Sequence, residues 1–124
     1  MGAKILYIED NADNRLLVRR ILMVEDCEVF EAATGVEGIA LAVRVRPDLI
    51  LMDMNLPSVD GYELTRRVRQ IPDLQDIPII AMTANVMHGD REKTLEAGCD
   101  GYIPKPIDVD DLPRQIQRFL AAKG

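Results

Sequence analysis

The chain has 124 residues, a net charge of −6 and 48% apolar residues, with a pI near 4.7. That size suits one domain with its own core, here taken as residues 1–124, and the composition excludes a disordered chain. The acidic balance argues against nucleic acid or an anionic membrane surface as partner, and no apolar run reaches the ~20 residues of a membrane span. The only cysteines are Cys27 and Cys99, and Met1-Gly2-Ala3-Lys4 carries no apolar leader, so a cytoplasmic protein with reduced thiols is expected.

Taken in order, Ile5-Leu6-Tyr7-Ile8 is a short apolar run broken by Glu9-Asp10-Asn11. Leu17, Val18, Ile21 and Leu22 follow at helical spacing. Cys27-Glu28-Val29-Phe30-Glu31 alternates as a half-exposed edge strand would. Val36, Ile39, Ala40 and Val43 mark the inner face of a second helix. Leu49-Ile50-Leu51-Met52 is apolar throughout, the pattern of a central parallel strand. Leu64, Val68 and Ile71 set a third helix, and Ile77 to Met82 a fourth strand with Pro78 near its start. Asp90 to Ala97 reads as a helix with a thin apolar face, Gly101-Tyr102-Ile103 as a fifth strand, and Leu112, Ile116, Phe119 and Leu120 as a last helix.

Strands alternating with helices build an open parallel sheet covered on both faces, because each crossover is right-handed. Ligands of such sheets bind beyond the carboxyl ends of the strands. Those positions hold Glu9 and Asp10 after the first strand, Asp53 after the third, Thr83 after the fourth and Lys105 soon after the fifth. Three carboxylates gathered there repel, by about 4 kcal/mol per pair at ~4 Å and an effective dielectric near 20, unless a cation sits among them. An all-oxygen set with few protein ligands favours Mg²⁺. An EF-hand starting at Asp10 fails on spacing, since Ala12 and Arg15 fall where a ligand and a glycine belong. Lys105 can hold a phosphoryl oxygen as a point charge and Thr83 can donate its hydroxyl to another. A carboxylate nucleophile, a divalent ion, an ammonium group and a hydroxyl are the parts of phosphoryl transfer to aspartate.

Glu9-Asp10-Asn11, Asp48 to Met54, Pro57, Gly61, Thr83-Ala84, Gly98 and Lys105-Pro106 together resemble the receiver domain of bacterial response regulators. The resemblance spans nearly the whole chain. It implies a CheY-like, flavodoxin-like α/β fold with a five-stranded parallel sheet in the order 2-1-3-4-5. It implies that Asp53 takes a phosphoryl group from a histidine kinase or a histidine phosphotransfer protein, as a self-assisting switch in two-component signalling and not as a turnover enzyme. Mg²⁺, or Mn²⁺ in its place, would be held by Asp10, Asp53, the Asn55 backbone carbonyl and, through a water, Glu9. Lys105 would pair with the phosphoryl group and form a cis bond to Pro106. Thr83 and Tyr102 would switch, passing the signal through the fourth helix, fifth strand and fifth helix to a downstream protein. Asn55 and Asn85 stand where similar proteins tune the phosphoryl lifetime. A monomer that dimerises on phosphorylation is the implied assembly.

Three rivals are weaker. Haloacid-dehalogenase-type hydrolases want an aspartate two residues past the nucleophile, where Asn55 stands. A degenerate receiver, serving only as an interaction module, would have no need of Asp10, Asp53, Thr83 and Lys105 together. A dinucleotide-binding module wants G-x-G-x-x-G after the first strand, and it is absent. His88, the single histidine, and Ser58 read as solvated loop or helix-start residues, and Met87 as packing or output face in equal measure. Arg15, Arg19 and Arg20 are expected on a solvated helix face, with Arg15 and Leu16 as the alternative contact for a kinase helix beside Leu56 and Ile107. Two departures from the family pattern concern the ends of helices. Asp26 stands near a turn that glycine often makes, which asks a left-handed cap of a non-glycine residue. Pro113 forces the last helix to start late, near Asp111.

Overall fold

A computed structural model describes residues 2–57, 59–84 and 90–123. Ser58, Asn85, Met87 and His88 lie outside the described residues. The elements in order are β1 (Lys4–Ile8), α1 (Ala12–Met23), β2 (Glu28–Ala32), α2 (Gly35–Val45), β3 (Leu49–Asp53), α3 (Gly61–Arg69), a 3-10 turn (Pro72–Leu74), β4 (Ile79–Thr83), α4 (Asp90–Ala97), β5 (Gly101–Pro104) and α5 (Leu112–Lys123). All strand pairs are parallel and the sheet order is β2-β1-β3-β4-β5.

The period of two along each strand splits the core between the two faces. Ile5, Tyr7, Leu49, Leu51, Ile80 and Met82 pack with Val18 and Leu22 of α1 and Leu112 and Ile116 of α5. Leu6, Ile8, Ile50, Met52, Ile79 and Ala81 pack with Ala42 of α2 and Leu64 and Val68 of α3. β3 and β4 are buried along their whole length, as their unbroken apolar runs require, while β2 lies at the edge and is partly exposed.

The helix ends follow side-chain chemistry. Asn11 caps α1, Thr34 caps α2 and Asp60 caps α3, each accepting a backbone N–H of the first turn. α1 closes with Asp26 at φ 58°, where the Cys27 N–H reaches the Leu22 carbonyl and the Asp26 N–H that of Met23, a left-handed cap made without glycine. α5 starts at Leu112 with Pro113 in its first turn, preceded by a turn in which Asp108 accepts from the N–H groups of Asp110 and Asp111.

Four expectations change. The inner face of α2 is Gly35, Gly38 and Ala42, while Val36 is 80% and Val43 44% exposed and Ala40 faces solvent. The reason is proximity, since a Cβ on Gly38 would lie 2.5 Å from Ile8 Cδ1, so only small residues fit against β1. α3 ends at Arg69, and Ile71 instead leads into the 3-10 turn. Leu56 is buried in the core and offers no apolar surface to a partner. Arg15 is no free solvated cation, because its guanidinium donates to the Glu9 carbonyl at 2.7 Å and approaches Glu31 at 3.5 Å. Arg19 pairs with the same Glu31 at 2.7 Å.

Arg69 was not anticipated either. It donates to the carbonyls of Gly98, Leu74, Gln75 and Ile77 and to Asp100, fastening α3 to the loops at the amino ends of β4 and β5.

Candidate functional site

β1 and β3 end side by side, with Ile8 opposite Met52, so the residues that follow leave the sheet together. Tyr7 and Glu9 share one face of β1, and Leu51 and Asp53 the matching face of β3, on the side covered by α1 and α5. Glu9 and Asp53 are buried, at 1% and 2% exposure, whereas Asp10 faces solvent. One carboxylate oxygen from each of Glu9, Asp10 and Asp53 lies within 4.8 Å of the others.

Lys105 answers this charge. Its ammonium donates to Asp53 Oδ1 at 3.1 Å and to Glu9 Oε2 at 3.2 Å, and only 19% of its side chain is exposed. β5 carries it there: the Lys105 N–H donates to the Thr83 carbonyl at 2.8 Å, and the Lys105–Pro106 bond is cis, as the family resemblance implied. Burial alone would lower the Lys105 pKa, but the bonds and charges of Asp53 and Glu9 raise it overall, so it stays a cation. Glu9 is held above the ordinary carboxylate range by burial first and then by the Asp53 charge, with Lys105 pulling the other way. Asp53 Oδ1 also accepts the Asn55 N–H at 3.0 Å, which places the chain beyond β3 directly over the acid.

The structure therefore brings Glu9, Asp10, Asp53 and Lys105 together. Thr83 is buried at 4% exposure at the end of β4, in register with Pro104, next to Lys105 in the chain. Tyr102 is partly buried and packs against the α2/α3 core. Asn85 lies outside the described residues. Hard carboxylate oxygens with open solvent at Asp10 fit a divalent cation that keeps several waters, so the donor set suits Mg²⁺ or Mn²⁺.

Two participants escaped the sequence reading. Tyr7, 0% exposed, donates its hydroxyl to Glu9 Oε2 at 3.1 Å. Its hydroxyl pKa is raised by burial first and then by the Glu9 charge, so it remains a donor. The signal was present as a polar tip two residues before Glu9 in an otherwise aliphatic strand. Asn14 adds its amide to Glu9 Oε1 at 3.4 Å from the first turn of α1.

Comparison with known proteins agrees with this geometry. The family sequence model described as the response regulator receiver domain matches residues 5–117. The polar-differentiation response regulator DivK of Brucella anthropi is 39% identical over 120 residues, 97% of this chain and 98% of its own. The receiver domain of the sensor histidine kinase PA1611 from Pseudomonas aeruginosa, solved with magnesium in its active-site cleft, is 40% identical with a TM-score of 0.88 over 98% of this chain and 99% of its own. The manganese-bound response regulator Rcp1 is 29% identical with a TM-score of 0.78 over 94% of this chain and 91% of its own. With the sheet order, the acid cluster and the lysine all in place, the chain belongs to the response regulator receiver domain family of two-component signalling.

Proposed function

We propose that the chain is a single receiver domain over residues 1–124 whose Asp53 accepts a phosphoryl group from a phosphohistidine. The observation that carries this is the Lys105 ammonium between buried Asp53 and Glu9, at 3.1 and 3.2 Å, beside a third acid. A structural ion pair needs one acid, whereas two buried acids share this lysine and a third carboxylate lies within reach of both, a grouping that suits a further cation.

An Asp53 carboxylate oxygen attacks phosphorus in line, forming an acyl phosphate. The phosphorus–nitrogen bond to the donor imidazole breaks, and its electron pair stays with that nitrogen. Lys105 stands close enough to exchange its bond to Asp53 for one to a phosphoryl oxygen. Thr83, at the end of the neighbouring strand, would donate its hydroxyl to a second one. Asp10, Asp53 and the Asn55 carbonyl would hold Mg²⁺ or Mn²⁺ directly and Glu9 through water, and that ion supplies neutralisation of the acids and the phosphoryl oxygens. Tyr102 and Thr83 would then carry the change to the α4–β5–α5 face, and Asn55 and Asn85 would set its lifetime. The chain would act as a switch and not a turnover enzyme, a reading supported by Asn55 standing two residues past Asp53 where haloacid-dehalogenase-type hydrolases want an aspartate.

The donor would be a histidine kinase or histidine phosphotransfer protein. A hollow of about 400 Å³ lined by Asn14, Leu17, Ala84, Lys105, Pro106 and Ile107 opens beside the site, giving room for an apolar helix to approach. No described helix is long and apolar enough to cross a membrane.

The test is intact mass after incubation with acetyl phosphate, with Mg²⁺ or with chelator. A single Mg²⁺-dependent phosphoryl adduct is expected, labile to base and absent in Asp53→Asn. No adduct with the wild type under any condition would overturn the reading and leave an interaction module.

A further inference from the structure

β1 places Tyr7 and Glu9 on the same face, and the Glu9 carboxylate is surrounded by donors. Oε2 accepts from the Tyr7 hydroxyl at 3.1 Å and from Lys105 at 3.2 Å. Oε1 accepts from the Asn11 N–H at 3.3 Å and the Asn14 amide at 3.4 Å. A carboxylate offers about four lone-pair positions, and these four contacts hold both of its oxygens in place. Lys105 is the donor with a second partner, Asp53, and phosphorylation would draw it further away. Tyr7 then remains as the side-chain donor to Oε2. Its hydroxyl sits on a residue with 0% exposure, where water offers no replacement partner.

We propose that Tyr7 is a positioning residue that sets the cation preference of the site: its hydroxyl tethers Glu9 Oε2 so that this carboxylate meets the ion through water and never as a direct ligand. The inference rests on the metal site proposed above. Two direct carboxylates and several waters suit Mg²⁺, whereas a third carboxylate free to coordinate suits Ca²⁺, which takes more oxygens in looser geometry. Freed from Tyr7, Glu9 becomes that third ligand.

The experiment is calorimetric titration of the wild type, Tyr7→Phe, and Tyr7→Phe combined with Glu9→Gln, with MgCl₂ and separately with CaCl₂. Tyr7→Phe should raise the Ca²⁺-over-Mg²⁺ affinity ratio about tenfold, on the scale of one hydrogen bond to a charged group. The double variant should lose that gain. A ratio unchanged in Tyr7→Phe overturns the proposal, including the case in which both ions bind more weakly because the pocket has loosened. Should Tyr7→Phe not fold, the wild type decides alone. Its Tyr7 hydroxyl proton, observed by NMR as a slowly exchanging signal, must persist at Mg²⁺ saturation, and its disappearance overturns the proposal. A wild type that binds neither ion sinks the metal-site reading as well. A wild type that binds Mg²⁺ beside a Tyr7→Phe variant with an unchanged ratio sinks the tether alone.

Discussion

Cys99 shows how a single buried side chain links packing to pH. Its thiol is 5% exposed and 3.7 Å from Thr65 Oγ1, and Thr65 itself donates to the Gly61 carbonyl at 2.8 Å. Burial pushes the thiol up to about 11 from 9.0, with the Thr65 contact and the Arg69 charge opposing. Because the folded value is raised, this contribution to stability is complete below pH 9 and is lost as pH climbs through about 11. The loss approaches about 3 kcal/mol at full ionisation. Urea titrations at pH 8 and pH 11 should show a smaller drop for Cys99→Ala than for the wild type, and equal drops would remove the thiol from the account. At this scale the strand-end acids and Lys105 were legible because charge gathered at the edge of an apolar sheet is costly unless a counter-ion or ligand meets it there. Tyr7 was not, because an aromatic in a buried strand looks like packing until its hydroxyl partner is seen. Arg15 was misjudged because helical spacing gives a direction for a side chain but not the carbonyl it reaches.

Elements were legible where one residue pattern allows one packing. β3 and β4 declared themselves as central strands by unbroken apolar runs, and Asp26 and Pro113 marked helix ends correctly through backbone geometry alone. α2 went wrong because hydrophobicity favours large residues, while close approach to Ile8 selects glycine and alanine. The same close approach yields a prediction at the start of α3. A Cβ on Gly61 would lie 2.6 Å from the Met54 Cα, in the residue after Asp53. Backbone cannot swing aside as a side chain can, so Gly61→Ala should cost about 1–3 kcal/mol, the range for overpacking. It should also slow acetyl phosphate labelling of Asp53 by displacing the loop that carries the Asn55 N–H. Chemical denaturation and the labelling rate measure the two effects, and a variant as stable as the wild type would show that α3 shifts freely.

Over the whole molecule, the fold class followed from alternation, while the strand order came from family resemblance. The paired partners of Arg69 and Glu31 depend on contacts far apart in the chain, which periodicity does not encode. The energetic signature of the site also belongs to this scale. Folding brings Asp53 to the adjacent pair Glu9 and Asp10, whose charges it then repels, so a cation that binds only the folded form stabilises it. At tenfold excess over its dissociation constant Mg²⁺ should add about 1.4 kcal/mol, seen as a melting-temperature rise of ~3–6 °C. The rise should vanish with chelator and be largely lost in Asp10→Asn, and a melting temperature indifferent to Mg²⁺ would contradict the metal site. The position of Lys105 along the chain carries a further consequence, for synthesis. The three acids come from the first 53 residues, but their ammonium counterpart is at position 105. A nascent chain long enough to pair β1, β2 and β3 therefore gathers its carboxylates before the cation that reconciles them exists. Mg²⁺ would then be the counter-charge on hand, and the last strand, on arrival, both completes the sheet and brings the lysine to its edge.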